Sequence, residues 1–218
     1  VIEGTETEIK DAKEVKALNS PIGELYSDEP PAEIEKDGKI YVLSSNKPVR
    51  DNEGDADKEG EVKEEEQTIT YQYVEKKIKI GNYVWYDENK DGIQNDTESP
   101  IEGVVVKLLD EKGDPVLDAD NNPVTTTTNA EGEYYFEVEQ NKTYKIVFET
   151  PEGYLPTKAN QGADDGKDSD GPEVAVTTGT TDDFTFDQGF VKGGKVNARY
   201  VIEGTETEIK DAKEVKAL

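Results

Sequence analysis

The 218-residue chain contains no cysteine, no histidine and no methionine. It therefore lacks the side chains that act as thiol nucleophiles, that most often bind zinc and that serve as acid–base catalysts near neutral pH. These absences exclude most classes of hydrolase. No apolar run approaches the about 20 residues of a membrane-spanning helix, and Val1 opens the sequence without a signal-peptide pattern. We expect an internal piece of a longer protein, with no membrane insertion in the piece itself.

Positive charge is scarce, since 25 basic residues stand against 51 acidic ones and the formal net charge is −26. Such a surface repels polyanions, so nucleic acid is not an expected partner. The same excess opposes compaction unless bound cations neutralise some of the carboxylates. Calcium is the cation that a carboxylate-rich chain without histidine or cysteine predicts.

The first 18 residues, VIEGTETEIKDAKEVKAL, return unchanged at Val201–Leu218, 200 positions later. An expression tag is the alternative explanation, although a tag would not place native-looking sequence at both ends. The identity predicts a tandem array of nearly identical 200-residue units, of which this sequence spans one period and an overlap.

The composition changes along the period. Residues 1–74 are rich in Glu, Lys and Asp, and the stretch 51–66 has the charge density of a solvated loop. Residues 67–80 alternate β-branched or aromatic with polar residues, which indicates a half-buried strand. The linker Lys192–Gly194 leads into KVNARYVIEG, whose alternation predicts another strand at Val196–Ile202.

Between residues 80 and 191, short alternating segments are separated by turn residues, which predicts an antiparallel β-sandwich. The predicted strands are Tyr83–Tyr86, Val104–Leu109, Val124–Thr128, Tyr134–Val138, Thr143–Glu149, Val174–Thr177 and Phe184–Phe186.

The segment DENKDGIQNDTE, Asp87–Glu98, matches the twelve-residue calcium loop of an EF-hand. Its predicted ligands are the side chains of Asp87, Asn89, Asp91, Asn95 and Glu98 and the carbonyl of Ile93, with Gly92 at the sharp turn. The alternative is an ordinary turn, because Asp, Asn and Gly dominate turns. The flanking YVWY and VVVKLL are strand-like and not helical, which favours a structural ion over a sensor.

A second acidic cluster places Asp164, Asp165, Asp168 and Asp170 within seven residues. So dense a run of like charge is favourable only when it is solvated or bound to metal, and both possibilities stay open. A third segment, Asp118–Asn122, is a weaker candidate of the same kind.

Residues 80–191 resemble the B repeats of staphylococcal serine-aspartate repeat (Sdr) surface proteins. The resemblance lies in IGNYVWYDENKDGIQND, GVVVKLLDEKGDPV, TTTTNAEGEYYF, TYKIVFETPEGYLPTKANQGADDGKDSDG and DFTFDQGF. It implies an all-β, Cna-B-like or prealbumin-like antiparallel sandwich that binds Ca²⁺ and acts as an extracellular spacer. It also implies that the loop matching Asp87–Glu98 is a calcium site to which the stretch matching Asp164–Asp170 adds ligands.

The first segment, read across the repeat junction, resembles a mucin-binding-protein (MucBP) repeat. The matching pieces are KVNARYVIEGTETEI, PIGELYSDEPPAEI, KIYVL and EEEQTITYQYV. The resemblance implies a small β-grasp-like domain, α+β or mainly β, and in some members binding of mucin glycans. The acidic insertion at residues 51–66 departs from that pattern.

Cna-B-like domains often carry a Lys–Asn or Lys–Asp isopeptide bond. The resemblance makes Lys79 or Lys107 with Asp187, assisted by Glu149, the trial set here. The Sdr-like relatives use calcium instead.

The predicted organisation is a MucBP-like domain lacking its first strand at residues 1–76, a calcium-binding sandwich at 77–192, and a linker with the start of the next unit at 193–218. The expected function is a non-catalytic stalk module of a cell-wall-anchored bacterial adhesin, rigidified by calcium and partnered by neighbouring repeats. Head-to-tail strand exchange through residues 195–202 is a further expectation.

Two other functions stay open. One is binding of mucin glycan or a host extracellular protein, for which Tyr26, Tyr41, Tyr71 and Tyr73 are available to stack on sugars. The other is a glycosidase with paired carboxylates, although two small β domains offer no evident deep cleft.

Overall fold

The computed structural model describes residues 1–5, 7–9, 13, 15–16, 20–50, 54–205 and 207–215. Its regular elements in these ranges are all β-strands, which confirms the predicted all-β class, and no helix there is long and apolar enough to span a membrane. The strands are β1 (Leu25–Ser27), β2 (Glu33–Lys36), β3 (Lys39–Leu43), β4 (Glu59–Glu61), β5 (Tyr73–Glu75), β6 (Ile78–Tyr86), β7 (Ser99–Pro100), β8 (Val105–Asp110), β9 (Thr125–Thr127), β10 (Glu133–Val138), β11 (Thr143–Phe148), β12 (Tyr154–Pro156), β13 (Glu173–Thr177), β14 (Gln188–Lys192), β15 (Val196–Val201) and β16 (Glu208–Val215).

The chain forms two compact units that are interleaved in sequence. The first contains residues 1–80, 137–143 and 177–183, and the second contains residues 81–136, 144–176 and 184–218. The division predicted from the sequence, at residues 76/77 and 192/193, stays a prediction.

Two sheets form the sandwich. One has the strand order β10-β6-β14-β12, with β7 also pairing with β6, and the other has the order β13-β11-β8-β9. Strands β6 and β14 run parallel, with Gln188 opposite Val84 and Phe190 opposite Tyr86. The other registered pairs in these sheets, such as β8 with β11, are antiparallel.

Alternation of side chains builds the core of the second unit. Along β10 the sequence EYYFEV alternates exposed and buried positions, so Tyr134 and Phe136 face inward, as a period of two residues requires. The rings of Tyr134 and Phe148 meet edge to face with centroids 5.4 Å apart. Trp85 and Phe190 are fully buried, so the central strands β6 and β14 are covered by the rest of the unit.

The first unit is built on the sheet β2-β3-β5. Ile9, Tyr41 and Tyr73 form its small buried cluster, and Ile2 packs against that cluster. The fully buried Gln140 donates its amide hydrogens to the carbonyls of Ile40 and Lys76 and accepts from Ile40 N. These three bonds tie the segment 137–143 to β3 and the end of β5. The predicted β-grasp-like architecture of residues 1–76 stays a prediction.

Two strand predictions were wrong in detail. Phe184–Phe186 is not a regular strand, because its backbone pairing with β6 is limited to the isolated bridge of Asp183 to Ile80 and a single bond from Phe186 N to Gly81 O. Continuous pairing starts later, at Gln188. The stretch 67–80 is likewise not one strand, since isolated bridges at Thr68 and Thr70 precede two separate strands, β5 and β6. The strand predicted at Val196–Ile202 is confirmed as β15.

Candidate metal centre

The candidate centre begins where β6 ends. Asp87 follows that strand directly and is fully buried. Its carboxylate accepts hydrogen bonds from the backbone nitrogens of Lys90 (2.6 Å), Asp91 (3.2 Å) and Gly92 (2.9 Å), and from the hydroxyl of Thr157. The chain therefore winds around this one side chain, as the calcium-loop interpretation requires.

The winding depends on two residues in the left-handed region. Lys90 has φ 63° and Gly92 has φ 81°, and side chains other than glycine are strained there. A Cβ on Gly92 would also lie 2.4 Å from the carbonyl oxygen of Lys158. The glycine predicted for the sharp turn is therefore required by both its conformation and its neighbour.

The remaining predicted ligands converge on one point. The amide Nδ2 of Asn95 lies 2.9 Å from Ile93 O, 3.4 Å from Asp91 Oδ2 and 3.5 Å from Glu98 Oε2. Three oxygen acceptors thus surround a single donor. A cation could replace that donor if the amide turned to present Oδ1, because calcium binds six to eight oxygens at about 2.3–2.6 Å.

Backbone donors hold the last ligand in place. Glu98 accepts hydrogen bonds from Glu88 N and Asn95 N, each at 2.9 Å. Asn89 Nδ2 donates to Asp91 Oδ2 at 2.8 Å, and Ile93 N donates to Asp91 Oδ1 at 2.8 Å. Burial acts to raise the pKa of Asp91, but the hydrogen bonds from Ile93, Asn89 and Asn95 outweigh it and lower the pKa. Asp91 is therefore stabilised as an anion.

The structure brings the second acidic cluster against this loop. Ile93 and Asp168 form an antiparallel bridge, in which Gln94 N donates to Lys167 O at 2.6 Å and Ser169 N donates to Gly92 O at 3.0 Å. Two segments that are about 70 residues apart in sequence are therefore joined by backbone hydrogen bonds.

Three of the four carboxylates predicted in the second cluster lie together. Asp165, Asp168 and Asp170 can each place one oxygen within 4.8 Å of the others. Asp164 is not in that group, and its carboxylate accepts from Gly166 N at 3.2 Å on the exposed side of the loop.

Asp168 is the most constrained member of the group. It is 4% exposed, its Oδ2 accepts from Gly162 N at 3.0 Å, and its Oδ1 is buried without a hydrogen-bond partner. A buried carboxylate oxygen without a donor costs free energy, and a bound cation removes that cost. The donor set fits a hard cation such as Ca²⁺.

Asp187 is a member of this neighbourhood that the sequence did not predict as part of a metal site. It is fully buried, its Oδ2 accepts from Asn82 Nδ2 at 3.1 Å, and its Oδ1 is buried without a partner. Its backbone nitrogen donates to Asp170 Oδ2 at 2.7 Å. Burial, together with the charges of Asp170 and Asp168, raises the pKa of Asp187 to about 8, against the opposing effect of the Asn82 bond. Anionic Asp187 therefore needs positive charge nearby.

Among the trial residues for an isopeptide bond, the structure pairs Lys107 with Glu149. Lys107 Nζ lies 2.5 Å from Glu149 in an ion pair whose side chains are about half exposed. Asp187, by contrast, is fully buried and accepts a hydrogen bond from Asn82. The third acidic candidate forms a closed turn, in which Asp118 accepts from Asp120 N and Asn122 N at 2.9 Å.

Comparison with known proteins places these residues in a family context. The model of the SdrD B-like domain matches residues 78–194. Serine-aspartate repeat-containing protein F of Staphylococcus epidermidis is 46% identical over 136 residues, which are 62% of this chain and 7% of that protein. Serine-aspartate repeat-containing protein D of Staphylococcus aureus strain Newman is 42% identical over 133 residues, 61% of this chain and 10% of that protein. The chain thus spans at most about a tenth of these relatives.

Among solved structures, the minor pilin GBS52 of Streptococcus agalactiae is similar over a region that covers 62% of this chain and 59% of the pilin chain. The sequence identity is 17% and the TM-score is 0.38, values at which the likeness carries no weight of its own.

Proposed function

Because the chain belongs to the SdrD B-like domain family, a family of structural surface-protein domains and not of enzymes, we propose that it is a calcium-braced repeat in the stalk of a bacterial surface adhesin. The observation that carries the calcium part is the pair of buried, unpartnered carboxylate oxygens on Asp168 and Asp187 beside a loop with the EF-hand pattern. A buried carboxylate oxygen without a donor is unfavourable, and a bound cation would give both oxygens a partner.

The position of the centre explains how an ion would stiffen the domain. Asp87 directly follows β6, and Thr157 directly follows β12. The Thr157 hydroxyl donates to Asp87, so the ends of these two strands meet at the loop. The bridge of Ile93 to Asp168 attaches the second acidic cluster to the same loop. An ion held here fastens the two strand ends and the two loops that carry its ligands, and loops are otherwise the parts that open first.

The proposed ligands are the predicted set without Asp164: the side chains of Asp87, Asn89, Asp91, Asn95 and Glu98 with the Ile93 carbonyl in the first cluster, and Asp165, Asp168 and Asp170 in the second. Asp87, Asp91 and Glu98 are the charged ligands of the loop, and a loop of this kind is typical of affinities of about 10⁻⁷ to 10⁻³ M. Such a site suits the calcium concentrations outside cells, where we place the protein, anchored to the cell wall. Repetition of the unit then sets the length by which an adhesive region is carried outward.

Thermal unfolding in calcium and in EDTA tests this proposal. At a calcium concentration about 100-fold above Kd, one site adds about 2.7 kcal/mol to the free energy of unfolding. For a chain of this size that corresponds to about 5–10 °C in Tm. Magnesium at the same concentration is the control, because it prefers a smaller octahedral site and should restore much less. A Tm that EDTA leaves unchanged would contradict the proposal.

Binding of mucin glycan or a host protein by the first unit is the second candidate. The observation that favours it is an open cleft lined by Leu25, Tyr26 and Gly60, where Leu25 is 71% exposed. Tyr41 and Tyr73, by contrast, lie in the buried cluster and are not available to stack on sugars. A glycan array with the whole chain checks this candidate. Binding that Tyr26→Ala abolishes and Tyr83→Ala retains would support it, and the absence of any binding would remove it.

A further inference from the structure

The duplicated segment folds into the same local turn at both of its positions. Ile2 N donates to Thr7 O at 2.9 Å, and Ile202 N donates to Thr207 O at 3.0 Å. In both copies the next contact is also the same, since Thr5 N and Thr205 N donate to the carbonyls of Ile2 and Ile202 at 3.0 Å. The turn is therefore a property of the segment itself and not of its surroundings.

The surroundings of the two copies differ. Ile2 packs against the cluster of Ile9, Tyr41 and Tyr73. Its equivalent Ile202 is 48% exposed, and the preceding strand β15 also exposes Val196 (65%) and Tyr200 (42%). Since the sequence is identical, the second copy has the apolar side chains of the first but not the surface that covers them.

The first copy shows which surface that is. Tyr73 N donates to Val1 O at 2.9 Å, Glu3 N donates to Tyr73 O at 2.8 Å, and Val1 N donates to Tyr71 O at 2.8 Å. These bonds are the evenly spaced, slanted pattern of a parallel ladder. Alternate residues of a strand direct their backbone groups to the same side. Tyr71, two residues before Tyr73, therefore directs its amide to the side on which Val1 lies. Residues that precede the Val1 position in a tandem array would run along that side.

In a tandem array those preceding residues are Val196–Tyr200, because Val201 occupies the Val1 position of the next unit. They already form a strand, β15, which pairs with β16 on one edge. We propose that β15 of each repeat is also an edge strand of the following repeat, parallel to its residues 69–73, with Tyr200 opposite Tyr71 of that repeat. The proposal rests on the tandem-repeat part of the proposed function and not on calcium.

The register fixes individual bonds. Continuing the observed ladder by two residues makes the carbonyl of Arg199 the acceptor for Tyr71 N of the next repeat. Continuing it by two more makes the carbonyl of Asn197 the acceptor for Ile69 N. Only Gly193, Gly194 and Lys195 separate β14 from β15 in sequence, so three residues would connect β14 of one repeat to the first strand of the next.

A two-repeat chain, residues 1–200 followed by residues 1–218, tests the register by cysteine pairing. The chain has no native cysteine, so two introduced ones report without interference. Tyr200→Cys in the first repeat and Tyr71→Cys in the second should form an intramolecular disulfide under mild oxidation, because directly opposite residues have suitable Cα separations. Arg199→Cys with the same Tyr71→Cys is the matched control, since its side chain points to the other face and should crosslink at least tenfold more slowly.

Amide exchange gives a second readout that needs no substitution. Segmental ligation gives two samples of the two-repeat chain, one with ¹⁵N only in the first repeat and one with ¹⁵N only in the second. The Ile69 and Tyr71 amides should exchange at least tenfold more slowly in the second repeat than in the first. Both measurements are made with calcium and with EDTA, and the result should hold in both, which separates this inference from the calcium proposal. Equal exchange in the two repeats, or equal crosslinking of the two cysteine pairs, would overturn it.

Discussion

The loop Asp87–Glu98 and the stretch Asp164–Asp170 are both acidic, but their carboxylates differ in the hydrogen-bond donors that surround them. The loop surrounds its carboxylates with its own donors: Asp87 alone accepts from three backbone nitrogens and the Thr157 hydroxyl. The stretch leaves Asp168 Oδ1 buried without a donor, and its half-buried Asp170 accepts a hydrogen bond from the backbone nitrogen of the fully buried Asp187.

This difference predicts different roles for a bound ion. The loop has a conformation that its hydrogen bonds maintain without metal, so calcium there adds to an existing structure. The stretch places the buried carboxylate of Asp168 close to those of Asp165 and Asp170, so calcium there removes a cost that the fold otherwise carries. When calcium is absent, removing a carboxylate of the loop should therefore lower the free energy of unfolding, whereas removing the buried charge of the stretch should raise it.

Asp87→Asn should have the largest effect. An amide cannot accept from three backbone nitrogens and a hydroxyl at once, so the loop loses bonds to a charged acceptor at about 1.5–3 kcal/mol each. We expect the free energy of unfolding to fall by about 2–4 kcal/mol in denaturant titrations, in calcium and in EDTA alike. Asp96→Asn, an exposed acid of the same loop outside the ligand pattern, is the control and should change little. A loss confined to calcium buffer would show that the loop is not preformed.

The effect of Asp168→Asn on the free energy of unfolding should have opposite signs in EDTA and in calcium. In EDTA the variant removes a buried charge that has one unpartnered oxygen, so it should be about 1–2 kcal/mol more stable than the parent chain. In saturating calcium it should be less stable, because it has lost a ligand. Chemical denaturation of both proteins in both buffers measures this, and destabilisation of equal size in the two buffers would contradict the account of the stretch.

Asp164→Asn should have the smallest effect. Its carboxylate lies outside the group of three and accepts from a single exposed backbone nitrogen, so we expect a change within about 0.5 kcal/mol in either buffer. Calcium-dependent stabilisation should also be retained. A loss of that stabilisation would return Asp164 to the ligand set that the sequence predicted.

The same contrast explains what the sequence could predict. The loop is encoded locally, because its turn residues and its oxygens all lie within twelve positions, and its ligand role stays a prediction. Asp187 could not be assigned to the centre from sequence, because its neighbourhood depends on the bond from Asp187 N to Asp170 and on the parallel pairing of β14 with β6. No periodicity reports such pairing.

Strand prediction failed for a related reason. The sequence DFTFDQGF alternates at Phe184 and Phe186, yet regular pairing begins only at Gln188, where β14 meets Val84 of β6. Alternation records which side chains are able to face a core, whereas the register of the partner strand decides which residues do. Gln140 is a similar case, since a polar residue in the turn between β10 and β11 gives no sign that its amide will be buried against Ile40 and Lys76.

Calorimetric titration of the chain with calcium tests the central claim most directly. We predict saturable binding with Kd between about 10⁻⁷ and 10⁻³ M, and weaker calcium binding in Asp168→Asn, which has lost a ligand. Heats no larger than dilution, or unchanged calcium binding in Asp168→Asn, would contradict the proposal.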